Sequence, residues 1–173
     1  DWNDIMSYTY VMSDIHGHYT EFQQMLKKIK FNETDTLYIL GDIIDRGTEN
    51  VKMIEYVMNT SNIYLLMGNH EDFLINSFIG PSLDKKYYLS GWIYNGGTKT
   101  LDELDKVDDE KMQEYLLFFK NLPTYKFITI NDKEYLLVHA GINYNGNYKD
   151  KKTLMENQLD NLFWIREDFI DNK

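Results

Sequence analysis

The stretch Gly41-Asp42-Ile43-Ile44-Asp45-Arg46-Gly47 decides how this chain is organised. It follows an apolar run at 36–40 that is typical of a strand, and it precedes a helical pattern that begins at Val51. Two carboxylates and a guanidinium therefore crowd one strand-to-helix turn, an unfavourable arrangement unless a bound cation and an anion neutralise them. Taken alone, the stretch would fit equally well a loop that holds an Asp–Arg ion pair.

Three companion motifs remove that ambiguity. Ser13-Asp14-Ile15-His16-Gly17 precedes the central stretch, and Gly68-Asn69-His70-Glu71 and His139-Ala140-Gly141 follow it. The first two of these motifs come directly after apolar, strand-like runs at 8–12 and 63–67, of which the first is predicted to be a buried strand. Strand, motif and helix thus alternate three times. This order predicts a parallel sheet with a ligand site beyond the carboxyl ends of its strands.

The remaining sequence predicts helices and one hairpin. Apolar residues at helical spacing predict helices over 19–30 and 51–58, and a third over 70–78 that Gly80-Pro81 would end. The elements predicted after residue 81 are a helix end at Trp92–Gly97, a helix over 108–122, a β-hairpin of 127–130 with 135–138 and a helical run over 159–170, with the rest of 82–107 unassigned. The hairpin would place His139 at its end.

Composition limits the possible classes of protein. With 173 residues and 43% hydrophobic content, the chain is predicted to form one globular domain over 1–173. Met6-Ser7 predicts a natural start, with residues 1–5 as an added remnant. The lack of cysteine excludes disulfides and agrees with a cytoplasmic location. The sequence contains no run of about 18 apolar residues, so it predicts no membrane span. The net charge of −10 argues against duplex nucleic acid as a partner, while the oligomeric state stays open.

Arginine and histidine are scarce here, and their positions are informative. Of 18 basic residues only Arg46 and Arg166 are arginines, the side chain suited to bidentate binding of phosphate oxygens. Three of the four histidines lie inside the motifs, and the fourth, His18, is predicted to be exposed without a functional role. Other conspicuous groups are given structural roles: a solvated face for the charged run 102–110, and core positions rather than a stacking platform for Trp92, Tyr94 and Trp164.

The motifs offer oxygen and nitrogen ligands without sulfur. Asp14 and His16 are two residues apart, so both can face one ion where the strand end curls. Asp42, Asn69 and His139 add a carboxylate, an amide oxygen and an imidazole. Such a set suits Mn, Fe, Zn or Mg ions. Because a carboxylate such as Asp42 can bridge two ions about 3.5–4 Å apart, the set predicts two divalent metal ions arranged for displacement at phosphorus.

Four other side chains complete the predicted chemistry. His70 directly follows the ligand Asn69 and could protonate the leaving oxygen, with Asp45 orienting its ring. Arg46 and Arg166 would hold the phosphate oxygens and stabilise charge in the transition state. Metal ions would lower the pKa of a shared water, which would supply hydroxide near neutral pH. The residues therefore predict hydrolysis of a phosphate ester.

In order and spacing, the four motifs resemble the signature of the PPP-type calcineurin-like metallophosphoesterases. That group includes serine/threonine protein phosphatases and symmetrical dinucleoside tetraphosphatases. The resemblance spans residues 8–166. The motif Asn95-Gly96-Gly97 also resembles a motif of the small bacterial and phage members of the family. It implies an α/β fold in which two mixed β-sheets form a sandwich flanked by helices, with a dimetal site at the sheet edges.

The resemblance also implies roles for individual residues. Two metal sites would share one carboxylate, with Asp14, His16 and Asp42 at the first and Asp42, Asn69 and His139 at the second. The implied catalytic and substrate-binding groups are the acid pair of Asp45 and His70, the phosphate-binding Arg46 and Arg166, and Asn69 as a further substrate contact.

One feature departs from the family pattern. The family supplies a further histidine to the second metal from a Gly-His-Thr segment beyond the position of Arg166, and here no histidine follows His139. We therefore expect the family domain to be incomplete at its C-terminal end and the polypeptide to continue. The expected function is a dimetal phosphoesterase acting on serine/threonine phosphoproteins. One alternative is hydrolysis of dinucleoside tetraphosphates or another small phosphorylated substrate, and another is a non-catalytic phosphate- or metal-binding module.

Overall fold

The three strands that lead into the motifs form one parallel sheet. The computed structural model describes residues 7–142 and 161–165 of the chain. In it β1 (Thr9–Met12), β2 (Thr36–Ile39) and β3 (Ile63–Leu65) pair in that order, each parallel to its neighbour. Met12 is the register partner of Ile39, and Ile39 is that of Leu65, so the strands end at one level. The predicted parallel sheet is confirmed, and the loops that follow its strands start side by side.

Helices connect and follow these strands, as the periodicity predicts. The helices are α1 (Tyr19–Lys28), α2 (Asn50–Asn59), α3 (Asn69–Phe78), α4 (Lys85–Tyr94), α5 (Thr98–Leu104), α6 (Asp109–Lys120) and α7 (Asn161–Trp164). The span that the sequence left unassigned therefore holds α4 and α5, and α4 ends before the glycine pair as predicted. Asp108 caps α6, because its Oδ1 accepts the N–H of Lys111 at 2.8 Å.

A β-hairpin forms the second sheet and delivers His139. Strands β4 (Tyr125–Ile130) and β5 (Lys133–Val138) are antiparallel, and Asn131 and Asp132 connect them. These two residues have φ of 50° and 60°, as a type I′ turn requires. The predicted α/β fold with two sheets flanked by helices is confirmed. In the described residues the first sheet is wholly parallel and the second wholly antiparallel.

Buried side chains of the parallel sheet and of α1 to α6 form the main core. Along β2, Leu37 and Ile39 are buried while the intervening Tyr38 is only half-buried, so one face of the strand packs against the core. The largest fully buried side chains of this core are Trp92, Tyr115 and Phe119. Burying one phenylalanine contributes roughly 1.5–3 kcal/mol. Among the described residues, no helix has the length and apolar character that crossing a membrane would need.

The first strand is less buried than the sequence predicts. Val11 is 47% exposed, whereas Tyr10 and Met12, on the other face of β1, pack against the core. The prediction of a buried strand is therefore wrong for β1. Position explains this exposure: among the described strands, β1 stands at one edge of its sheet, where its pairing partner is β2.

Candidate active site

The loops that carry the site have an unusual backbone. Asp14, His16, Asp42, Asp45 and Arg46 all have positive φ, from 50° to 76°. Residues other than glycine rarely adopt this conformation, which costs about 1–3 kcal/mol and persists only where the surrounding structure holds it. Backbone bonds join the two loops here, because the N–H of His16 donates to the carbonyl of Asp42 at 3.0 Å. The strain is therefore concentrated at the residues that were predicted to carry the chemistry.

One oxygen of Asp42 lies at the centre of the site. Asp42 Oδ2 is 3.8 Å from Nε2 of His16, 3.8 Å from Nε2 of His70 and 3.6 Å from Nε2 of His139. The residue is only 3% exposed. This burial raises the pKa of the Asp42 carboxyl to about 6. A cation bound beside this oxygen would favour the ionised carboxylate and lower that pKa.

Two of these histidines are held in the form that a metal ligand needs. His16 Nδ1 lies 2.8 Å from the carbonyl oxygen of Ile44, and His139 Nδ1 lies 2.6 Å from that of Leu40. Since a carbonyl oxygen can only accept, the proton must be on Nδ1, which leaves the Nε2 lone pair facing Asp42. Burial also lowers the pKa of His16, which favours its neutral ring. Both rings can therefore bind a cation through Nε2.

Asn69 and Asp14 extend the cluster, through contacts with His139 and His16. Asn69 Oδ1 is 2.9 Å from His139 Nε2, and Asp14 Oδ1 is 3.8 Å from His16 Nε2. The side chain of Asp14 is 58% exposed, so it lies at the open rim of the site. The structure thus brings all five predicted metal ligands together, in two groups that share Asp42.

The contact between Asn69 and His139 shows that these residues fit a metal ion. With the proton of His139 on Nδ1, its Nε2 and the amide oxygen Oδ1 are two acceptors only 2.9 Å apart. Two lone pairs at this distance repel each other unless a cation lies beside both. In the described part of the chain, ligand atoms of His16, Asp42 and His70 also lie within 4.8 Å of one another. Oxygen and imidazole donors of this kind suit Mn, Fe, Zn or Mg ions.

His70 and Asp45 form a fully buried pair beside this cluster. His70 Nδ1 is 2.5 Å from Asp45 Oδ2, and the residues are 1% and 0% exposed. Burial acts to lower the pKa of His70, but the hydrogen bond with Asp45 and the charges of Asp42 and Asp45 outweigh it, so the pKa is raised. Because Asp45 accepts the hydrogen bond from Nδ1–H, Nε2 faces the site and can carry an exchangeable proton.

Arg46 contacts two of the site histidines. Its Nη1 donates to His16 Nε2 at 2.8 Å, and its Nη2 donates to His70 Nε2 at 3.2 Å. Its backbone N–H donates to the carbonyl of Gly96 at 3.2 Å. A guanidinium prefers charged oxygens to neutral ring nitrogens, so a phosphate in the site would attract these same donors.

The site opens onto a cavity of about 440 Å³. Its polar lining includes Asp14, Asp42, Arg46, Asn69, His70 and His139. A second cavity of about 800 Å³ adjoins it and shares Asn95, Phe163 and Trp164 with it. Tyrosine rings line this second cavity, so the neighbourhood of the polar site is largely aromatic.

Glu71 has a role that the sequence analysis did not assign. Its side chain is 0% exposed, and its carboxylate accepts the backbone N–H groups of Asp42, Ile43 and Gly68 at 2.7, 2.9 and 3.0 Å. Burial raises the pKa of Glu71 to about 7. Glu71 thus fixes the central loop to the start of α3. Its place in the third strand's motif was the signal that could have revealed this role.

Two further residues missed by sequence reasoning contact Asp45. Trp92 Nε1 donates to Asp45 Oδ2 at 2.7 Å, and Thr100 Oγ1 donates to Asp45 Oδ1 at 2.5 Å. Trp92 is 0% exposed, so its predicted core position is confirmed. The motif Asn95-Gly96-Gly97, which lies between these two residues, was the nearest signal in the sequence.

Two aromatic residues predicted to be core are exposed. Tyr94 is 91% exposed and Trp164 is 46% exposed, so the prediction is wrong for both. Tyr94 is the last residue of α4, and Trp164 packs one side against Phe73, with ring centroids 5.4 Å apart. Both line the cavity of about 800 Å³ beside the polar site. Their position fits a platform on which a ligand ring could stack, the alternative to the predicted core position.

The charged run 102–110 is mostly exposed, as predicted, but Glu103 is an exception. Its carboxylate accepts the backbone N–H groups of Asn50 and Val51 at 3.0 and 2.9 Å. It therefore caps the first turn of α2 from another helix.

The predicted exposure of His18 is confirmed, since 58% of its side chain is exposed. Arg166, the second predicted phosphate-binding arginine, lies outside the described residues, as does most of the helical run predicted over 159–170.

The chain is similar to known proteins over most of its length. The family model for calcineurin-like phosphoesterases matches residues 8–172. Serine/threonine-protein phosphatase 2 of Salmonella typhimurium is 30% identical over 166 residues, which are 95% of this chain and 71% of that protein. The symmetrical bis(5'-nucleosyl)-tetraphosphatase of Haemophilus ducreyi is 33% identical over 140 residues, which are 78% of this chain and 45% of that protein.

A solved structure shows the same fold. The crystal structure of a candidate diadenosine tetraphosphatase superimposes with a TM-score of 0.55 at 20% identity, over 85% of this chain and 61% of that one. The chain spans 71% of the length of the protein phosphatase but less than half of that of the tetraphosphatase. The family model covers nearly all of the chain and includes the four motifs. The chain therefore belongs to the calcineurin-like phosphoesterase family.

Proposed function

We propose that this protein hydrolyses a phosphoric ester with divalent metal ions bound around Asp42. The observation that carries this proposal is the position of Asp42 Oδ2, within 3.6 to 3.8 Å of three imidazole Nε2 atoms in a buried site. A carboxylate surrounded in this way is suited to bridge two cations. Family membership supports the same chemistry.

The proposed ligands divide into two sets that share Asp42. Asp14, His16 and Asp42 would hold one ion, and Asp42, Asn69 and His139 the other. Bound divalent ions would polarise the phosphate group and lower the pKa of the attacking water. The ring orientations that this needs are already fixed, because His16 and His139 each donate Nδ1–H to a backbone carbonyl.

The other side chains would bind the phosphate and move the proton. Arg46 would hold phosphate oxygens and stabilise their charge in the transition state. As the water oxygen bonds to phosphorus and the ester P–O bond breaks, His70 Nε2 would give its proton to the leaving oxygen. Asp45 would hold Nδ1–H and stabilise the positive ring before that transfer. Arg166 as a second phosphate ligand, and Asn69 as a substrate contact, stay predictions from the family resemblance.

A phosphorylated protein is the proposed substrate. The net charge of −10 disfavours a polyanion more than a phosphorylated serine or threonine in a protein of ordinary charge. The relative from Salmonella typhimurium, of which this chain covers 71%, is named a serine/threonine-protein phosphatase. Both observations support this choice of substrate class.

A dinucleoside tetraphosphate is the second candidate, and the exposed aromatic rings favour it. Tyr94 and Trp164 line the cavity that adjoins the polar site. A nucleobase stacked on one aromatic ring gains about 1–3 kcal/mol. Relatives named symmetrical bis(5'-nucleosyl)-tetraphosphatases support the same class of substrate.

A substrate panel tests the proposal. The protein is stripped of metal, supplied with Mn²⁺ and assayed on a phosphoserine peptide, a dinucleoside tetraphosphate and p-nitrophenyl phosphate. We expect metal-dependent turnover of p-nitrophenyl phosphate and a higher kcat/KM for the peptide than for the tetraphosphate. A preference for the tetraphosphate would support the second candidate. If none of the three substrates is turned over in the presence of metal, a catalytic role is contradicted. The remaining hypothesis is then a non-catalytic module that binds phosphate or metal.

A further inference from the structure

The carboxylate of Asp45 is held by three donors, of which only one belongs to the predicted acid pair. His70 Nδ1 and Trp92 Nε1 both donate to Oδ2, at 2.5 and 2.7 Å. Thr100 Oγ1 donates to Oδ1 at 2.5 Å. Asp45 is 0% exposed, so water does not supply these bonds. Each oxygen of the carboxylate therefore has a fixed partner from the segment 92–100.

Thr100 also fixes the backbone of Asp45. The N–H of Asp45 donates to Thr100 Oγ1 at 3.0 Å and to Asn50 Oδ1 at 2.7 Å. The Thr100 hydroxyl thus donates to the side chain and accepts from the main chain of one residue, which uses its proton and one of its lone pairs. Asp45 has φ of 76°, a conformation that needs such support.

The glycine pair allows the segment to approach this closely. A Cβ at Gly97 would lie 2.4 Å from Cδ1 of the Trp92 indole, so only glycine leaves the ring in its place. Gly96 has φ of 102°, and its carbonyl accepts the backbone N–H of Arg46 at 3.2 Å. The segment 92–100 therefore contacts both Asp45 and Arg46 by side-chain and backbone bonds.

We infer that Trp92 and Thr100 are positioning residues that set the orientation of His70 through Asp45. This inference rests on the proposed function, in which His70 protonates the leaving oxygen. If the Asp45 carboxylate rotates, His70 Nδ1–H loses its acceptor and Nε2 moves away from the position of that oxygen. A displacement of about 1 Å can reduce a rate by about 100-fold. A purely structural role for the two residues would instead affect all substrates alike.

Substitutions at Thr100 separate these two roles. Thr100→Val keeps the size and branching of the side chain and removes both hydroxyl bonds, whereas Thr100→Ser keeps the hydroxyl. Thr98→Val is the matched control, because Thr98 lies on the same helix and is exposed. Trp92→Phe removes the second donor and decides the question if Thr100→Val does not fold.

The leaving group provides the readout. A serine alkoxide needs a proton as it leaves, whereas p-nitrophenolate needs little protonation. We expect Thr100→Val and Trp92→Phe to lower kcat for a phosphoserine peptide about 10- to 100-fold, and kcat for p-nitrophenyl phosphate less than about 3-fold. Thr100→Ser and Thr98→Val should stay within about 3-fold of the wild type on both substrates.

A second measurement does not depend on activity. In the metal-stripped protein, the NMR resonance of the His70 Nδ1 proton reports its hydrogen bond with Asp45, and His70→Asn identifies that resonance by its loss. The resonance should move in Thr100→Val and stay in place in Thr98→Val. The inference would be overturned if Thr100→Val and Trp92→Phe lost kcat equally on both substrates, or if the His70 Nδ1 proton resonance did not move in Thr100→Val. Turnover by the wild-type protein would still support the proposed function in either case. A wild-type protein without turnover would contradict the proposed function itself.

Discussion

Glu103 gives the sharpest test of how the fold supports the site. Its Oε1 accepts the N–H and the Nδ2 of Asn50 at 3.0 and 2.6 Å, and its Oε2 accepts the N–H of Val51 at 2.9 Å. Glu103→Ala leaves two N–H groups of the first turn of α2 without this acceptor. A hydrogen bond to a charged group contributes about 1.5–3 kcal/mol, and an anion at a helix N-terminus about 0.3–1 kcal/mol. Since Glu103 is only half-buried, water recovers part of this energy.

We therefore expect Glu103→Ala to lower the free energy of unfolding by about 2–3 kcal/mol, which corresponds to a fall in Tm of about 4–12 °C for a chain of this length. Urea unfolding followed by circular dichroism, with a chelator present, measures the change. Asp102→Ala is the matched control, because Asp102 precedes Glu103 on the same helix and is exposed, so its change should stay within about 0.5 kcal/mol. Equal stability of the two variants would refute the proposed cap.

Three further predictions concern the site itself. His70→Asn should leave the metal content unchanged and lower kcat for a phosphoserine peptide by about 100- to 10,000-fold, with a smaller loss for p-nitrophenyl phosphate; equal losses would count against a proton donor. Asp42→Asn should abolish tight metal binding by calorimetry. In chelator at pH 8 it should raise the free energy of unfolding by about 1–3 kcal/mol, because a carboxyl whose folded pKa is raised to about 6 destabilises the fold above that pH; the gain should vanish below about pH 4. Gly41→Ala should destabilise the protein by more than about 1 kcal/mol in the same assay, because Gly41 has φ of 96° and a Cβ there would lie 2.5 Å from Gly68 Cα; wild-type stability would show that the loop can relax.

The convergence of the motifs could be predicted from the sequence because it follows from strand register. Asp14, Asp42 and Asn69 each come a few residues after a short apolar strand, and parallel strands in register end at one edge of a sheet. His139 could be placed with them because a hairpin ends directly before it. Both the convergence of the motifs and the position of His139 could be inferred without interatomic distances, because local sequence patterns and the geometry of parallel strands were sufficient.

Contacts between distant segments could not be predicted in the same way. Glu103 is 53 residues from Asn50, and Thr100 is 55 residues from Asp45. The sequence of the charged run 102–110 does not distinguish Glu103, which accepts hydrogen bonds from α2, from its exposed neighbours. Tyr94 and Trp164 were misplaced for a related reason, because aromatic residues favour burial on average but here line a cavity next to a polar site.

The three buried carboxylates of the site differ in how many hydrogen bonds the protein gives them. Glu71 accepts three backbone N–H groups, and Asp45 accepts donors from His70, Trp92 and Thr100. In the described residues, the carboxylate of Asp42 accepts one hydrogen bond, from the backbone N–H of His70 to Oδ1 at 3.2 Å. Its Oδ2 instead faces three imidazole nitrogens, two of which present lone pairs. Glu71 and Asp45 are thus compensated by the protein itself, whereas Asp42 is the carboxylate whose charge a bound metal ion would balance.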